Sequence, residues 1–250
     1  MCRVLVLLSI IMICNLKGQY LKLNIKDTLY NYTIKDTSNP LQIEIEITNV
    51  SDAKVGFVLD NKSLGVYEAF NSYLIEENTP KESGLYERIF SPRIMVFPHN
   101  KMDSLKLDYY LSDINLTEKG LLEEYNRQKK INENKILNLK EYKQKYFPNK
   151  SLHFVEKAKY VNENFIILMP NEKRKITIMF DPKIYKNEGD FNGIGFPIQR
   201  NNDYDFVIKI HTDANKTMMY LNTENKRLIR DNIKLISEDL YSKRLYFSTQ

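Results

Sequence analysis

Residues 41–60, LQIEIEITNVSDAKVGFVLD, constrain the fold more than any other part of the chain. From Ile43 to Ile47 an apolar side chain stands at every second position, and the rhythm resumes at Val55 after a polar cluster around Asn49. Successive side chains of a strand point to opposite faces, so this period predicts one row in a core and one in water. A slip of one residue would exchange the rows, so the register is strongly specified. The predicted core residues are Ile43, Ile45, Ile47, Val55, Phe57 and Leu59.

The same alternation recurs along the chain, between turns made of Pro, Asn, Asp and Gly. Short alternating strands between such turns favour an antiparallel sandwich over a parallel α/β sheet. Besides 41–60, the predicted strands are 21–25, 93–98, 104–111, 152–160, 164–169, 175–180, 205–211 and 243–247.

Two segments break this rhythm and predict helices. Residues 117–147 contain no Pro and one Gly, are rich in Glu, Lys, Leu, Asn and Gln, and end before Pro148. Helix propensity and the proline stop indicate one long helix or two shorter ones inserted between strands. A shorter helix is predicted at 223–232. In the insertion, the residues expected to pack inward are Leu121, Leu122, Tyr125, Ile136, Leu139 and Tyr142.

The stretch ITNVS followed by VGFVLD resembles the B-to-C region of bacterial immunoglobulin-like domains. LMPNEKRKITIMFD, residues 168–181, is similar to the corner and strand that often follow in them, and residues 233–247 resemble their closing hairpin. The resemblance implies a mainly β fold: an antiparallel immunoglobulin-like β-sandwich, here with a helical insertion at about 117–147 and a short helix in the C-terminal region. These domains share no catalytic residues, so the resemblance implies no chemistry.

The first eighteen residues have the pattern of a secretory signal peptide. Arg3 provides a positive start, and the eleven residues from Val4 to Cys14 are mostly apolar, too few to span a bilayer. Gly18 is the best small residue before a cut, so we predict cleavage between Gly18 and Gln19 and a single domain over 19–250. The alternative, a lipoprotein anchored through Cys14, is less favoured because Ile13, rather than a small residue, precedes that cysteine. We therefore expect a secreted or periplasmic protein.

Cysteine and charge exclude several classes of site. Both cysteines, Cys2 and Cys14, lie in the predicted signal, so the mature chain would have no disulfide, thiolate metal site or cysteine nucleophile. No second long apolar run predicts a transmembrane segment after cleavage. The net charge is +5, and residues 118–150 hold nine Lys/Arg against five Asp/Glu. Export and this mixed charge argue against a nucleic-acid partner.

Candidate catalytic and metal-binding residues lack a supporting pattern. His99, His153 and His211 do not have the spacing of a zinc motif. Glu44 and Glu46 share one strand face, as glycosidase carboxylates can, but alternating Glu is typical of a solvated face. Three acids could serve calcium or, more simply, turns: Asp203, Asp205 and Asp213. We assign no catalytic, metal-binding or cofactor-binding residue.

Two surfaces are candidate contacts for a partner. The basic insertion offers Lys129, Lys130, Lys135 and Lys143. The glycine-rich stretch 189–198 is predicted to be a surface loop, and an apolar loop tip is a frequent contact site; its candidate residues are Phe191, Ile194 and Phe196. The sequence therefore predicts an exported, non-enzymatic module that binds a protein or surface partner. The alternative is a periplasmic or extracellular hydrolase with an unrecognised site.

Overall fold

The computed structural model describes residues 19–26, 30–33, 40–61, 65–66, 90–106, 108–111, 118–180, 182, 185–186, 192–230 and 232–250. These residues form fifteen strands and four helices. The strands are β1 (Leu21–Ile25), β2 (Tyr30–Tyr32), β3 (Leu41–Asn49), β4 (Lys54–Val58), β5 (Gly65–Val66), β6 (Arg93–Pro98), β7 (Asp108–Leu111), β8 (Phe165–Leu168), β9 (Lys173–Phe180), β10 (Tyr185–Lys186), β11 (Asn192–Gly195), β12 (Asp203–His211), β13 (Ile233–Leu235), β14 (Asp239–Tyr241) and β15 (Leu245–Thr249). The helices are α1 (Glu118–Tyr146), α2 (Leu152–Glu163), α3 (Ala214–Tyr220) and α4 (Thr223–Arg230).

The described strands form four sheets. Their orders are β1-β3-β9, β10-β11-β7, β13-β4-β8 and β2-β15-β12-β6-β5, with β14 also paired to β12. Most pairs are antiparallel, but β13 with β4, β15 with β2 and β5 with β6 run parallel. The fold is therefore mainly β with antiparallel and mixed sheets, and the prediction of a purely antiparallel arrangement is wrong at these three pairs.

The opening stretch has the predicted alternation of core and solvent faces. Ile43, Ile45 and Ile47 are at most 1% exposed, and the chain restarts as β4 with Val55 and Phe57 fully buried. Their rows pack into one core shared by the β1-β3-β9 sheet and the six-stranded sheet. Aromatic side chains join the two sheets, since the ring of Phe206 on β12 lies 6.2 Å from that of Phe180 on β9. Fully burying one such side chain contributes about 1.5–3 kcal/mol.

Asn49 closes β3 with its side chain as well as its backbone. Its Nδ2 donates to the carbonyls of Ala53, Leu168 and Met169 at 2.8, 3.1 and 2.9 Å. Its Oδ1 accepts from the backbone N and the Oγ of Ser51. Asn49 is fully buried, so one amide fixes the turn after β3 and the end of β8.

The predicted closing hairpin is wrong. Its first strand, β13, pairs in parallel with β4, and β14 and β15 lie one after the other along the same edge of β12. Between the two paired segments, residues 207–208 of β12 lie opposite residues 242–244, which connect β14 to β15. Two residues facing three form a β-bulge. Ser242 fills it, because the Ile208 backbone N donates to Ser242 Oγ at 2.9 Å and the Ser242 N donates to Ile208 O at 2.9 Å.

The predicted strand at 152–160 is also wrong, because these residues belong to helix α2. Ser151 caps the helix by accepting from the Phe154 N at 3.2 Å. The buried residues Val155, Ala158 and Val161 recur every three positions, which places them on one side of a helix. Of the predicted strand 104–111 only β7 is observed, whereas 164–169 contains β8 as predicted.

The predicted helices at 117–147 and 223–232 correspond to α1 and α4. In the part of the chain that the structure describes, no helix combines the length and the apolar character needed to cross a bilayer.

Candidate functional site

The four helices form one layer, named here the helical layer. α1 and α2 are joined by the short connection 147–151 and contact each other along their adjoining parts. Leu139 of α1 is buried, and Lys135 Nζ lies 2.6 Å from Glu156 Oε1 of α2. The layer reaches the β part through a small core cluster, Val58, Phe90, Val161 and Leu221.

A chain of aromatic rings links α1 to α3. Tyr142 lies 6.1 Å from Phe147, Phe147 5.5 Å from Phe154, and Phe154 5.0 Å from Tyr220, measured between ring centroids. Lys150 Nζ lies 5.1 Å from the Phe154 ring centroid, within range of a cation–π contact. These rings are all half-buried and so present one edge to solvent.

An amide network fixes α4 against α2. Asn162 Oδ1 accepts from the Asn222 N and from Asn225 Nδ2, both at 2.9 Å. Asn222 in turn caps α4 by accepting from the Asn225 N at 2.8 Å. Glu224 on α4 accepts from the Tyr146 hydroxyl at 3.0 Å, which joins the end of α1 to the same unit. The helical layer is thus held as one body by polar contacts.

Charge is strongly segregated between this layer and the rest of the chain. Residues 118–163 and 214–230 hold 15 Lys/Arg and eight Asp/Glu, a net charge of +7, whereas all other residues together carry −2. This concentration of positive charge affects the pKa of Lys157 on α2. Burial lowers the pKa of Lys157, and the positive charge of Lys216 lowers that pKa further. The layer is therefore the basic pole of the molecule.

α1 carries a row of exposed side chains beside its packed side. Leu122 is 60% exposed, Tyr125 64% and Ile136 45%, so the prediction that these three pack inward is wrong. Leu139 and Tyr142 do pack inward, toward the other helices of the layer, as predicted. The side chain of Leu121 is not among those that the structure describes. Steps of three, four or seven residues bring the outward row together on one side of the helix. This exposed stripe consists of Leu122, Tyr125, Lys129, Ile136 and Lys140.

The predicted contact lysines differ in their surroundings. Lys129 and Lys130 are exposed, and among the described residues neither forms an ion pair. Lys143 is half-buried, and Lys135 forms the ion pair with Glu156. Lys129 therefore belongs to the exposed stripe, Lys143 is a half-buried residue beside it, and Lys135 belongs to the contact between α1 and α2.

The second predicted contact surface is not the expected loop. Residues 192–195 form β11, paired with β7 and β10, and Ile194 lies within it. Phe196 is 1% exposed and packs 6.3 Å from Phe180 in the core, so its side chain is not accessible to a partner. Phe191 lies outside the described residues.

Two His–Asp pairs lie on β12 and its neighbours. His99 Nδ1 is 2.9 Å from Asp205 Oδ1, and His211 Nδ1 is 2.7 Å from Asp239 Oδ1. A carboxylate only accepts, so in each pair the imidazole Nδ1 carries the hydrogen of the contact, which fixes the orientation of the ring. Nothing in the sequence brings these partners together, because they are far apart along the chain.

The second pair includes a buried lysine. The Lys209 side chain is 4% exposed, and its Nζ lies 2.9 Å from Asp239 Oδ2. Burial acts to raise the pKa of Asp239, but hydrogen bonds from His211 and Lys209 outweigh it and hold that pKa below its usual value. Among the described residues, no group of three or more His, Cys, Asp or Glu could hold a metal ion.

Glu44 and Glu46 line an open depression of about 270 Å³ on the outer side of the β1-β3-β9 sheet. Lys173 Nζ lies 3.0 Å from Glu46 Oε1, and Lys26 Nζ lies 3.9 Å from Glu44 Oε2. The hydrogen bond from Lys173 lowers the pKa of Glu46 below its usual value. A glycosidase acid needs a raised pKa, so Glu46 lacks the environment of a general acid.

A buried polar cluster lies where the helical layer meets the β part. Ser91 Oγ is 3.5 Å from Asp60 Oδ2, and both residues are buried. Burial and then the nearby Asp60 carboxylate raise the pKa of Tyr160, so its hydroxyl stays protonated. The described cluster has no histidine to activate the serine, and we interpret it as a structural junction.

Comparison with known proteins assigns no family to this arrangement: no family model matches the chain, and no curated protein matches it significantly.

Proposed function

We propose that this protein is an exported, non-enzymatic binding module, built on an immunoglobulin-like β-sandwich, that contacts a protein partner through the exposed stripe of α1. The observation that carries the proposal is the pairing of charge and apolar exposure. The helical layer has a net charge of +7 against −2 elsewhere, and its longest helix presents Tyr125 at 64% exposure. An exposed apolar row rimmed by charge is typical of an interaction surface.

The composition of α1 favours a protein over a polyanion. Glu123, Glu133 and Glu141 are exposed on the same helix, and they would repel a nucleic acid or an acidic glycan along its length. Aliphatic and aromatic side chains between lysines suit a surface that offers acidic groups beside apolar ones. The partner we infer is a protein surface of that mixed, acidic character.

The test uses the absence of cysteine after Cys14. The Ile136→Cys variant, carrying a photoactivatable cysteine-directed crosslinker, is exposed to material from the producing cell. We expect one protein adduct, lost when Lys129→Glu and Lys140→Glu are added. The matched control is Met179→Cys, which is similarly exposed but lies on β9 of the β1-β3-β9 sheet, outside the helical layer. No adduct at position 136, or the same adduct at position 179, would contradict the proposal.

The His–Asp pairs favour the second candidate, a periplasmic or extracellular hydrolase. An oriented imidazole can act as a general base when a nucleophile and a substrate cleft adjoin it. The test is whether the protein hydrolyses simple ester or glycoside substrates. If it does, and if His211→Ala and His99→Ala both lose this activity while retaining the fold, the hydrolase is favoured over the binding module.

A further inference from the structure

The start of β1 is held by a carboxylate from the far end of the chain. The Tyr20 N donates to Glu238 Oε1 at 2.7 Å, and the Leu21 N donates to Glu238 Oε2 at 3.2 Å. The Val50 N also donates to Tyr20 O at 2.9 Å. Leu21 is fully buried, whereas Gln19 is exposed. The chain is therefore held at Tyr20 and Leu21 by the Glu238 carboxylate, an arrangement named here the Glu238 clamp. The predicted cleavage point lies one residue before it.

Glu238 is itself held in place. Its backbone N donates to Thr212 Oγ1 at 2.8 Å, and the Thr212 N donates to Glu238 O at 2.9 Å. Thr212 is fully buried directly after β12. The carboxylate is therefore presented by the folded β part and is not a mobile surface group. Lys234 is a second charged group at this place, since its Nζ contacts the Tyr20 hydroxyl and lies 4.2 Å from the Tyr20 ring centroid.

We propose that the Glu238 clamp is the binding site for the mature N-terminus, with the α-ammonium group of Gln19 forming an ion pair with the Glu238 carboxylate. The proposal rests on the predicted processing between Gly18 and Gln19 and is independent of the partner proposed above. Hydrolysis of that peptide bond adds one water and leaves a carboxylate on Gly18 and an ammonium on Gln19. Processing thus places a positive charge on the residue that adjoins the clamp.

The Glu238 carboxylate can accept a further hydrogen bond from the Gln19 ammonium group. A carboxylate offers about four lone-pair sites, and the amides of Tyr20 and Leu21 use two of them. The Gln19 nitrogen is separated from the Tyr20 nitrogen by one residue's backbone alone, so it lies in the same region. A charge-assisted hydrogen bond is shorter and stronger than a neutral one. The mature chain should therefore hold β1 more firmly than any form in which the Gln19 nitrogen is an amide.

The experiment compares four forms of chain 19–250: a free or an acetylated Gln19 amine, each with Glu238 or with Glu238→Gln. Mass spectrometry verifies that Gln19 has not cyclised with loss of ammonia, since cyclisation would remove the charge. We expect acetylation to lower the urea midpoint at neutral pH in the chain with Glu238 and to have no effect with Glu238→Gln. In the control Glu44→Gln, on the exposed face of β3, acetylation should act as in the unchanged chain. An equal effect of acetylation with and without Glu238 would overturn the proposal.

A second measurement needs no substitution and so holds even if Glu238→Gln does not fold. The rate of acylation of the Gln19 amine against pH gives the pKa of that amine in the unchanged chain. An adjacent carboxylate favours the ammonium form, so we expect a value above the ordinary range of about 7.7–8.0. A value within or below that range overturns the ion pair. N-terminal sequencing of protein from the producing cell tests the processing separately, and a start other than Gln19 also overturns the proposal.

Discussion

Substitution of Asn49 by Asp removes hydrogen bonds from a buried site without changing its size. The Nδ2 group of Asn49 serves three carbonyls at 2.8–3.1 Å, and the residue is fully buried. In Asn49→Asp an oxygen would face the carbonyls of Ala53, Leu168 and Met169 with no hydrogen between them. The bonds from Ser51 to Oδ1 would remain.

The expected loss follows from these contacts. Each hydrogen bond contributes about 1 kcal/mol net, and a buried carbonyl left without a donor costs about 1–3 kcal/mol more. We therefore expect Asn49→Asp to lower the free energy of unfolding by about 3–5 kcal/mol at neutral pH, a large part of the stability of an ordinary domain. The matched control, Ser51→Ala, removes only bonds from Ser51 Oγ, at 2.7 Å to Asn49 Oδ1 and 3.2 Å to Ala53 O, and should cost about 1 kcal/mol.

The loss should also depend on pH, with a sign that the structure determines. Burial and three carbonyl oxygens would raise the pKa of the new carboxyl in the folded state above its unfolded value of about 3.9. The folded variant then binds more protons than the unfolded chain, so its stability falls as pH rises through this window. The deficit against the unchanged chain should be smallest near pH ~4 and largest near pH ~7.

The assay is urea unfolding followed by far-ultraviolet circular dichroism, since the chain contains no Trp. Similar slopes of free energy against urea for all variants would support a two-state comparison. A deficit no larger than that of Ser51→Ala, or one that does not change between the two pH values, would refute the reasoning about this amide.

Two further substitutions test other parts of the fold. Gly56→Ala in β4 would place a Cβ 2.9 Å from Phe165 Cζ and 3.1 Å from side-chain carbons of Ile233 and Leu235. We expect a loss of about 1–3 kcal/mol in urea unfolding, against almost none for the exposed Lys54→Ala, and equal losses would contradict this packing. Asp239→Asn removes a carboxylate whose folded pKa is depressed, so its contribution is present above the unfolded pKa and is lost as pH falls through the folded value. Because this side chain is 38% exposed, we expect a deficit of only about 1–2 kcal/mol near pH ~7. The deficit should shrink as the pH falls below the unfolded pKa of about 3.9. A deficit independent of pH would argue against the pair with Lys209 and His211.

The parts of the fold that could be predicted from sequence are those with a local cause. The burial of Ile43, Ile45 and Ile47 follows from a period of two, which needs no knowledge of distant residues. The helix α1 follows from propensity and Pro148 in the same way. The register of β3 against β9 was not predictable, because it depends on which strand lies alongside.

The wrong assignment of 152–160 has a local cause as well. LHFVEKAKY contains enough alternating apolar residues to fit a strand, but Val155, Ala158 and Val161 fit a helix better. Ser151, which caps α2, was the missing signal, since a capping serine just before a periodic run marks a helix start. By contrast, the pairing of Lys209 with Asp239 leaves no trace in the sequence, because the two residues are far apart along the chain.

The prediction that the apolar residues of the exposed stripe pack inward is wrong for a geometric reason, and that reason bears on function. α1 has 29 residues and α2 has 12, so at 1.5 Å per residue they measure about 43 and 18 Å. A partner of that length cannot cover α1 from end to end, whatever the distribution of its apolar residues. The contacts that are observed, Leu139 and the Lys135–Glu156 ion pair, accordingly lie in its second half, and Leu122 and Tyr125 lie beyond them. Helix length therefore explains the exposure of Leu122 and Tyr125, whereas Ile136 is exposed because it lies on the outward side of the covered half. The proposed contact surface therefore depends on how far α1 extends beyond α2, and a variant of α1 shortened by whole turns from its first end should lose the partner while the helical layer remains folded.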